Sequence, residues 1–142
     1  IRPLVELELN KDYAAAIQLI DAALLANAAQ AETSTRLIAV SEDLIRLSAT
    51  IASPLAATRA ERAFKALGEF ANTSAQYHAD RERLYNLTKQ YYQDLADGKT
   101  PEIPPELPAL AQTVTAELRQ SIEISDRLRQ YLQEFEDSFV EQ

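Results

Sequence analysis

The sequence predicts an all-α fold: an elongated antiparallel bundle of three to four long helices. Apolar residues recur every three or four positions along most of the 142-residue chain, which is the spacing of amphipathic helices. No segment shows the strict alternation of apolar and polar residues that is typical of a strand. Glycine occurs only twice, whereas an all-β fold would need many tight turns.

The first half of the chain is expected to form one long helix that ends before Pro54. Its apolar stripe comprises Tyr13, Ile17, Ile20, Leu24 and Ala28, then Leu37, Val40, Leu44, Leu47 and Ile51. The interval 28–36, AAQAETSTR, has no large apolar residue. Since Ala, Gln and Glu are good helix formers, a continuous helix is favoured over a break capped by Ser34.

A second helix is predicted to begin at Pro54, because Ser53 is a good N-cap and proline suits the first helical turn. Its stripe includes Phe64, Leu67, Phe70, Leu84, Tyr91 and Leu95. Gly98 suits the left-handed position that follows a helix, so the helix should end near Asp97. The following stretch, GKTPEIPPELP, contains four prolines and predicts a stiff, extended loop.

The final helix is predicted from about residue 107. Its apolar residues have near-heptad spacing and are Leu110, Val114, Leu118, Ile122, Leu128, Leu132, Phe135 and Phe139. Helices this long must pack side by side to bury their stripes. Three helices would place the termini at opposite ends, whereas a break near 29–35 or 72–74 would give four helices and bring the termini together. We expect one domain, 1–142, that is part of a larger protein.

Composition excludes several classes of function. The net charge of −8, concentrated in residues 100–142, argues against binding nucleic acid or an anionic membrane surface. The absence of cysteine excludes disulfides and thiolate chemistry. No uninterrupted apolar run approaches the roughly 20 residues of a membrane span, so direct membrane insertion is not expected.

One cluster on the second helix could form a ligand site. His78, the only histidine, and Arg81 fall on the inward stripe of a heptad grid, with Ser74, Tyr77 and Tyr85 beside them. An inward arginine could hold a small anionic ligand through its planar guanidinium, and the other side chains could supply donors. The alternative is structural: Arg81 extends to the edge of the bundle and His78 is a boundary residue.

Catalysis, metals and cofactors are not expected. A single histidine cannot supply a three- or four-ligand zinc site, and the Glu-x-x-His motif of di-iron bundles is absent. A nucleophile elbow and a phosphate-binding loop both need glycines that the chain lacks. The sequence therefore predicts a protein that is not an enzyme.

Residues 84–139 resemble part of the four-helix sensor domains of bacterial chemoreceptors and related membrane kinases. The resemblance lies in LYNLTKQYYQDLADGKTP, the proline-marked connection and the long final helix. It implies an extracytoplasmic (periplasmic) sensory domain that works as a dimer, with membrane helices flanking it in the parent protein. Such a domain needs both termini at the membrane, and therefore four helices.

Two functions follow as hypotheses. The first is a non-enzymatic sensory or ligand-binding domain of a bacterial signalling protein, with a small anionic ligand and a homodimeric state. The alternative is a structural coiled-coil assembly or tethering module, cytoplasmic or not, whose acidic C-terminal helix binds a protein partner.

Overall fold

The computed structural model describes residues 2–140 and contains four helices, with no strand among those residues. They are α1 (Arg2–Leu9), α2 (Tyr13–Ser48), α3 (Pro54–Ala96) and α4 (Leu107–Val140). The predicted all-α fold is therefore confirmed. Neither proposed break exists, because α2 runs through 29–35 and α3 runs through 72–74.

The extra helix comes from a break that the sequence analysis missed. Lys11 has a φ of 55°, and the N–H of Asp12 donates to the carbonyl of Leu7 at 2.8 Å, which ends α1 in a left-handed turn. The side chain of Asp12 then caps α2 by accepting from the N–H of Ala15 at 3.2 Å. The prediction of one helix over the first half was wrong because lysine at this position carries no stop signal.

The predicted boundaries around α3 are confirmed. Ser53 Oγ accepts from the N–H of Ala56 at 3.3 Å, so Ser53 caps a helix that starts at Pro54. At the other end Gly98 has a φ of 77°, and the N–H of Lys99 donates to the carbonyl of Asp94 at 3.0 Å. The proline-rich segment then forms the non-helical connection to α4.

Close contacts divide the chain into two compact units: residues 1–30 with 78–114, and residues 31–77 with 115–142. In the first unit, the core cluster is Leu4, Ala16, Ile20 and Tyr92. Here α2 and α3 pack antiparallel, since Asn27 contacts His78 and Asp21 pairs with Lys89 at 2.7 Å. The short α1 joins this core through Leu4 and Leu7.

In the second unit, α2 and α3 meet through small side chains. The buried positions of α2 are Ser34, Ser41 and Ser48, and those of α3 include Ala56, Ala60, Ala63, Ala66 and Ala71. A Cβ added to Gly68 would lie 3.0 Å from Ser41 Oγ, so the two backbones approach closely.

This seam corrects the stripe predicted for the second part of α2. Val40 and Leu47 are exposed, and Leu37, Leu44 and Ile51 are only half-buried. A large side chain at position 41 would hold α2 away from Gly68 of α3, whereas serine allows the close approach. Each serine hydroxyl can also bond within its own helix, as Ser41 and Ser48 do to the carbonyls of Ile38 and Ile45.

Candidate functional site

A buried polar layer in the first unit is centred on Asn27, whose side chain is 1% exposed. Its Nδ2 donates to the carbonyl of His78 at 2.8 Å. Its Oδ1 lies 3.0 Å from His78 Nδ1 and accepts from Arg81 Nε at 2.8 Å. Both ends of the amide are therefore satisfied, as a buried polar group requires.

The amide orientation fixes the histidine tautomer. Because a carbonyl can only accept, Nδ2 of Asn27 must face the His78 carbonyl, which leaves Oδ1 facing the ring. His78 therefore donates through Nδ1. Burial, and then the nearby charge of Arg81, lowers the pKa of His78 below its usual 6.5, so the ring is neutral at pH 7.

Arg81 lies half-buried at the edge of this layer. In addition to its bond to Asn27, its Nη2 donates to Gln30 Oε1 at 2.7 Å. The guanidinium carbon lies 5.7 Å from the centre of the Tyr85 ring. Arg81 therefore donates to side-chain amide oxygens of the protein itself. The sequence analysis had expected it to donate to the carboxylate of a ligand.

The structure brings together three of the five predicted site residues. His78, Arg81 and Tyr85 belong to the first unit, whereas Ser74 and Tyr77 belong to the second. Ser74 is buried and Tyr77 is half-buried. Asn27, the centre of the layer, was missed, although it lies seven residues after Ile20 and seven before Ser34, at the spacing of the buried positions of α2.

Tyr85 also lines a small apolar cavity in the first unit. The cavity has a volume of about 220 Å³, and its other lining residues are Leu4, Leu19, Ile20 and Ala23. The cavity and the Arg81 guanidinium therefore share one neighbour, the Tyr85 side chain. The second unit has a wider groove of about 410 Å³ between α3 and α4, where Arg62, Lys65 and Arg127 are paired with Glu134, Glu61 and Glu69.

The α4 helix carries two heptad stripes within the second unit. The inner stripe comprises Ser121, Ile124, Leu128, Tyr131, Phe135 and Ser138, all buried or half-buried. It packs against α3: the Phe135 and Phe64 rings are 5.9 Å apart, and the Arg62 guanidinium lies 4.5 Å above Tyr131. Arg59 donates to Ser138 Oγ at 3.2 Å.

The outer stripe comprises Thr115, Leu118, Ile122, Ser125, Arg129, Leu132, Glu136 and Phe139. Its four large apolar side chains are between 38% and 60% exposed. A helix that buried only one face would carry polar residues here. The outer stripe is therefore a second apolar surface at the spacing that a further helix could pack against.

Two other features of the described residues bear on function. Among residues 2–140, no group of three or more His, Asp or Glu side chains is placed to hold a metal ion. One helix, α2, is long and apolar enough to cross a membrane, judged by length and composition. Polar residues such as Gln18 and Asp21 interrupt its apolar run, so the sequence shows no uninterrupted apolar span there.

Comparisons with known proteins identify no relative. No protein family, no curated protein and no solved structure matches the chain.

Proposed function

We propose that this chain is a non-enzymatic helical interaction module that binds a protein partner through the outer stripe of α4. The observation that carries the proposal is the exposure of Leu118, Ile122, Leu132 and Phe139 at heptad spacing. A helix laid along this stripe would cover all four side chains. This proposal keeps the assembly or tethering function that the sequence analysis gave as an alternative. It places the binding surface on the apolar outer stripe of the same acidic helix.

The polar layer supports this assignment through its bonding pattern. Asn27, His78 and Arg81 bond to one another within the protein, which is how a buried asparagine fixes the register of paired helices. A slide of α2 along α3 would leave these groups buried without their partners. The layer therefore has a sufficient structural role without any ligand.

A variant with an interrupted stripe tests the proposal. Ile122→Gln with Phe139→Gln changes the two most exposed members of the stripe, and Leu25→Gln with Ile103→Gln is a matched control at exposed apolar positions elsewhere. Sedimentation measures self-association, and immobilised protein captures partners from an extract of the source organism. We expect the first variant to lose an association that the control retains. Equal behaviour of both variants and the wild type in both assays would refute the proposal.

Ligand sensing is the second candidate, because Arg81 and the apolar cavity share Tyr85. A small anion with an apolar body would place its charge at Arg81 and its body in the cavity. A thermal-shift screen with carboxylates and oxyanions tests this function. Stabilisation of the wild type and of Arg83→Ala, but not of Arg81→Ala, would support it. A screen without any stabilised protein would remove it.

A further inference from the structure

The charges around the outer stripe have no partner within the described part of the chain. Arg129 and Glu136 lie on the stripe, Arg119 and Asp126 lie on its flank, and all four side chains are exposed. None of them forms an ion pair among residues 2–140. By contrast, Arg127 and Glu134, on the side of α4 nearer α3, pair with Glu69 and Arg62. These four unpaired charges therefore lie on or beside the face that carries the exposed apolar residues.

We propose that the outer stripe pairs with the outer stripe of a second copy of this chain, antiparallel, about a two-fold axis near residue 127. This inference rests on the proposed function and names the partner. The symmetry makes the interface self-complementary, so each contact occurs twice.

Charge complementarity selects this arrangement. With the axis near residue 127, Arg129 faces Asp126 of the second copy, and Arg119 faces Glu136 of the second copy. Each of these four charges thereby has an opposite charge within reach, and the two copies of Asp126, which lie within one helical turn of each other across the axis, share the two Arg129 side chains. These ion pairs between the two copies are exposed to solvent and screened by salt, so they add little affinity. They do discriminate between the possible registers of the two helices.

The other simple arrangements oppose like charges. A parallel pair in register places Arg129 beside Arg129 and Glu136 beside Glu136. Moving the antiparallel axis by half a heptad brings Arg119 opposite Arg129 in one direction and Asp126 opposite Glu136 in the other. Like-charge contacts of this kind suppress the wrong pairing.

The central apolar residues fit the same register, since Ile122 lies opposite Leu132 of the second copy on both sides of the axis. Towards the ends of the stripe, Phe139 lies opposite Thr115, and Leu118 lies opposite Glu136. The central layer places the small Ser125 opposite Arg129, which leaves space for the guanidinium to reach Asp126. One helix face from residue 115 to 139, about 36 Å long, is a modest interface, so dimerisation should depend on concentration within the micromolar to millimolar range.

Charge reversal tests the register. Arg129→Glu should weaken dimerisation roughly tenfold, since it replaces two attractive contacts by repulsive ones. Combining it with Asp126→Arg should restore the dimer to within roughly threefold, because the reversed pairs attract again. Arg83→Glu, at an exposed position of α3, is the control and should leave dimerisation unchanged. A dimer that ignores the reversal, or a combined variant that is not rescued, would overturn the register.

Spin labels test the direction of pairing, and the absence of native cysteine makes single-site labelling direct. Labels at Ala116→Cys and Gln130→Cys occupy equivalent exposed heptad positions two heptads apart. In the antiparallel dimer their axial separations should be about 34 Å and about 8 Å, respectively. Equal distances at the two sites would indicate a parallel pair and overturn the proposal.

The two proposals can fail separately. A chain that remains monomeric to millimolar concentration, yet captures another protein in a manner that depends on Ile122 and Phe139, would overturn the dimer and leave the interaction module standing. A monomer with no stripe-dependent capture would overturn both.

Discussion

Asn27 and His78 are joined twice across the α2–α3 contact: the asparagine amide donates to the histidine backbone carbonyl at 2.8 Å, and its oxygen lies 3.0 Å from the ring Nδ1. The same oxygen accepts from Arg81. One side chain of α2 thus fixes both the position of α3 and the tautomer of its histidine. Five predictions concern this layer, the tyrosines that contact α1, and the small-residue seam of the second unit.

Asn27→Ala should lower the free energy of unfolding by about 1–3 kcal/mol, because the buried His78 ring and carbonyl lose their partner. Chemical denaturation of the wild type and the variant measures the difference. Gln18→Ala, on the exposed side of the same helix, should cost less than about 0.5 kcal/mol. Equal stability of the two variants would contradict the structural role assigned to Asn27.

Stability should decrease as the pH falls below about 6.5. The pKa of His78 is lower in the folded state than its usual 6.5, so the unfolded chain takes up the proton first and acid favours unfolding. His78→Gln cannot titrate and should show a flatter profile between about pH 7 and pH 5. Carboxylates titrate in both proteins, so the difference between the profiles isolates His78. If the stability–pH profiles of the two proteins had the same slope, the pKa of His78 would be the same in the folded and unfolded states, which would contradict the prediction.

Tyr92 should hold α1 against α3. Its hydroxyl donates to Glu8 Oε2 at 3.2 Å, and Tyr91 donates to Glu8 Oε1 at 3.4 Å. Because Tyr92 is the more buried, Tyr92→Phe should destabilise the protein by about 1–3 kcal/mol at pH 8, and Tyr91→Phe by less. Thermal unfolding of the two variants gives the comparison. A larger loss with Tyr91→Phe would reverse this assignment.

The same tyrosine predicts an alkaline effect. Burial, then the charge and hydrogen bond of Glu8, raises the pKa of Tyr92 to about 12. A raised pKa stabilises the folded state fully below about pH 10, and this contribution is lost as the pH rises through 12. Unfolding measured between about pH 9 and pH 12 should therefore show a steeper loss for the wild type than for Tyr92→Phe.

The small-residue seam of the second unit can be tested with a double-mutant cycle. Gly68→Ala gains helix propensity of roughly 1 kcal/mol, but the new Cβ meets Ser41 Oγ at 3.0 Å. In a Ser41→Ala background that oxygen is gone, so Gly68→Ala should stabilise more there than in the wild type. Denaturation midpoints of the four proteins give the coupling. Zero coupling would mean that the contact does not restrict the seam.

Local signals in the sequence identified several boundaries correctly. Ser53 and Pro54 start α3, and Gly98 follows its end, because these residues act through their own backbone geometry and caps. The turn at Lys11 escaped prediction because lysine adopts the left-handed conformation only where its surroundings compensate the strain. The cap at Asp12 was a local sign of that turn.

The sequence by itself determined the helical class, the long α3 and α4, and the inward side of His78, since apolar periodicity and end signals are properties of single helices. Only the tertiary structure decided which faces are buried. Ser41 is buried in the seam whereas Val40 and Leu47 are exposed, because Gly68 of α3 lies close enough to accept only a small neighbour. Likewise, Asn27 is the centre of the polar layer because helix packing places it opposite His78. A hydrogen bond between two helices depends on how the helices are placed, and the sequence of one helix does not determine this.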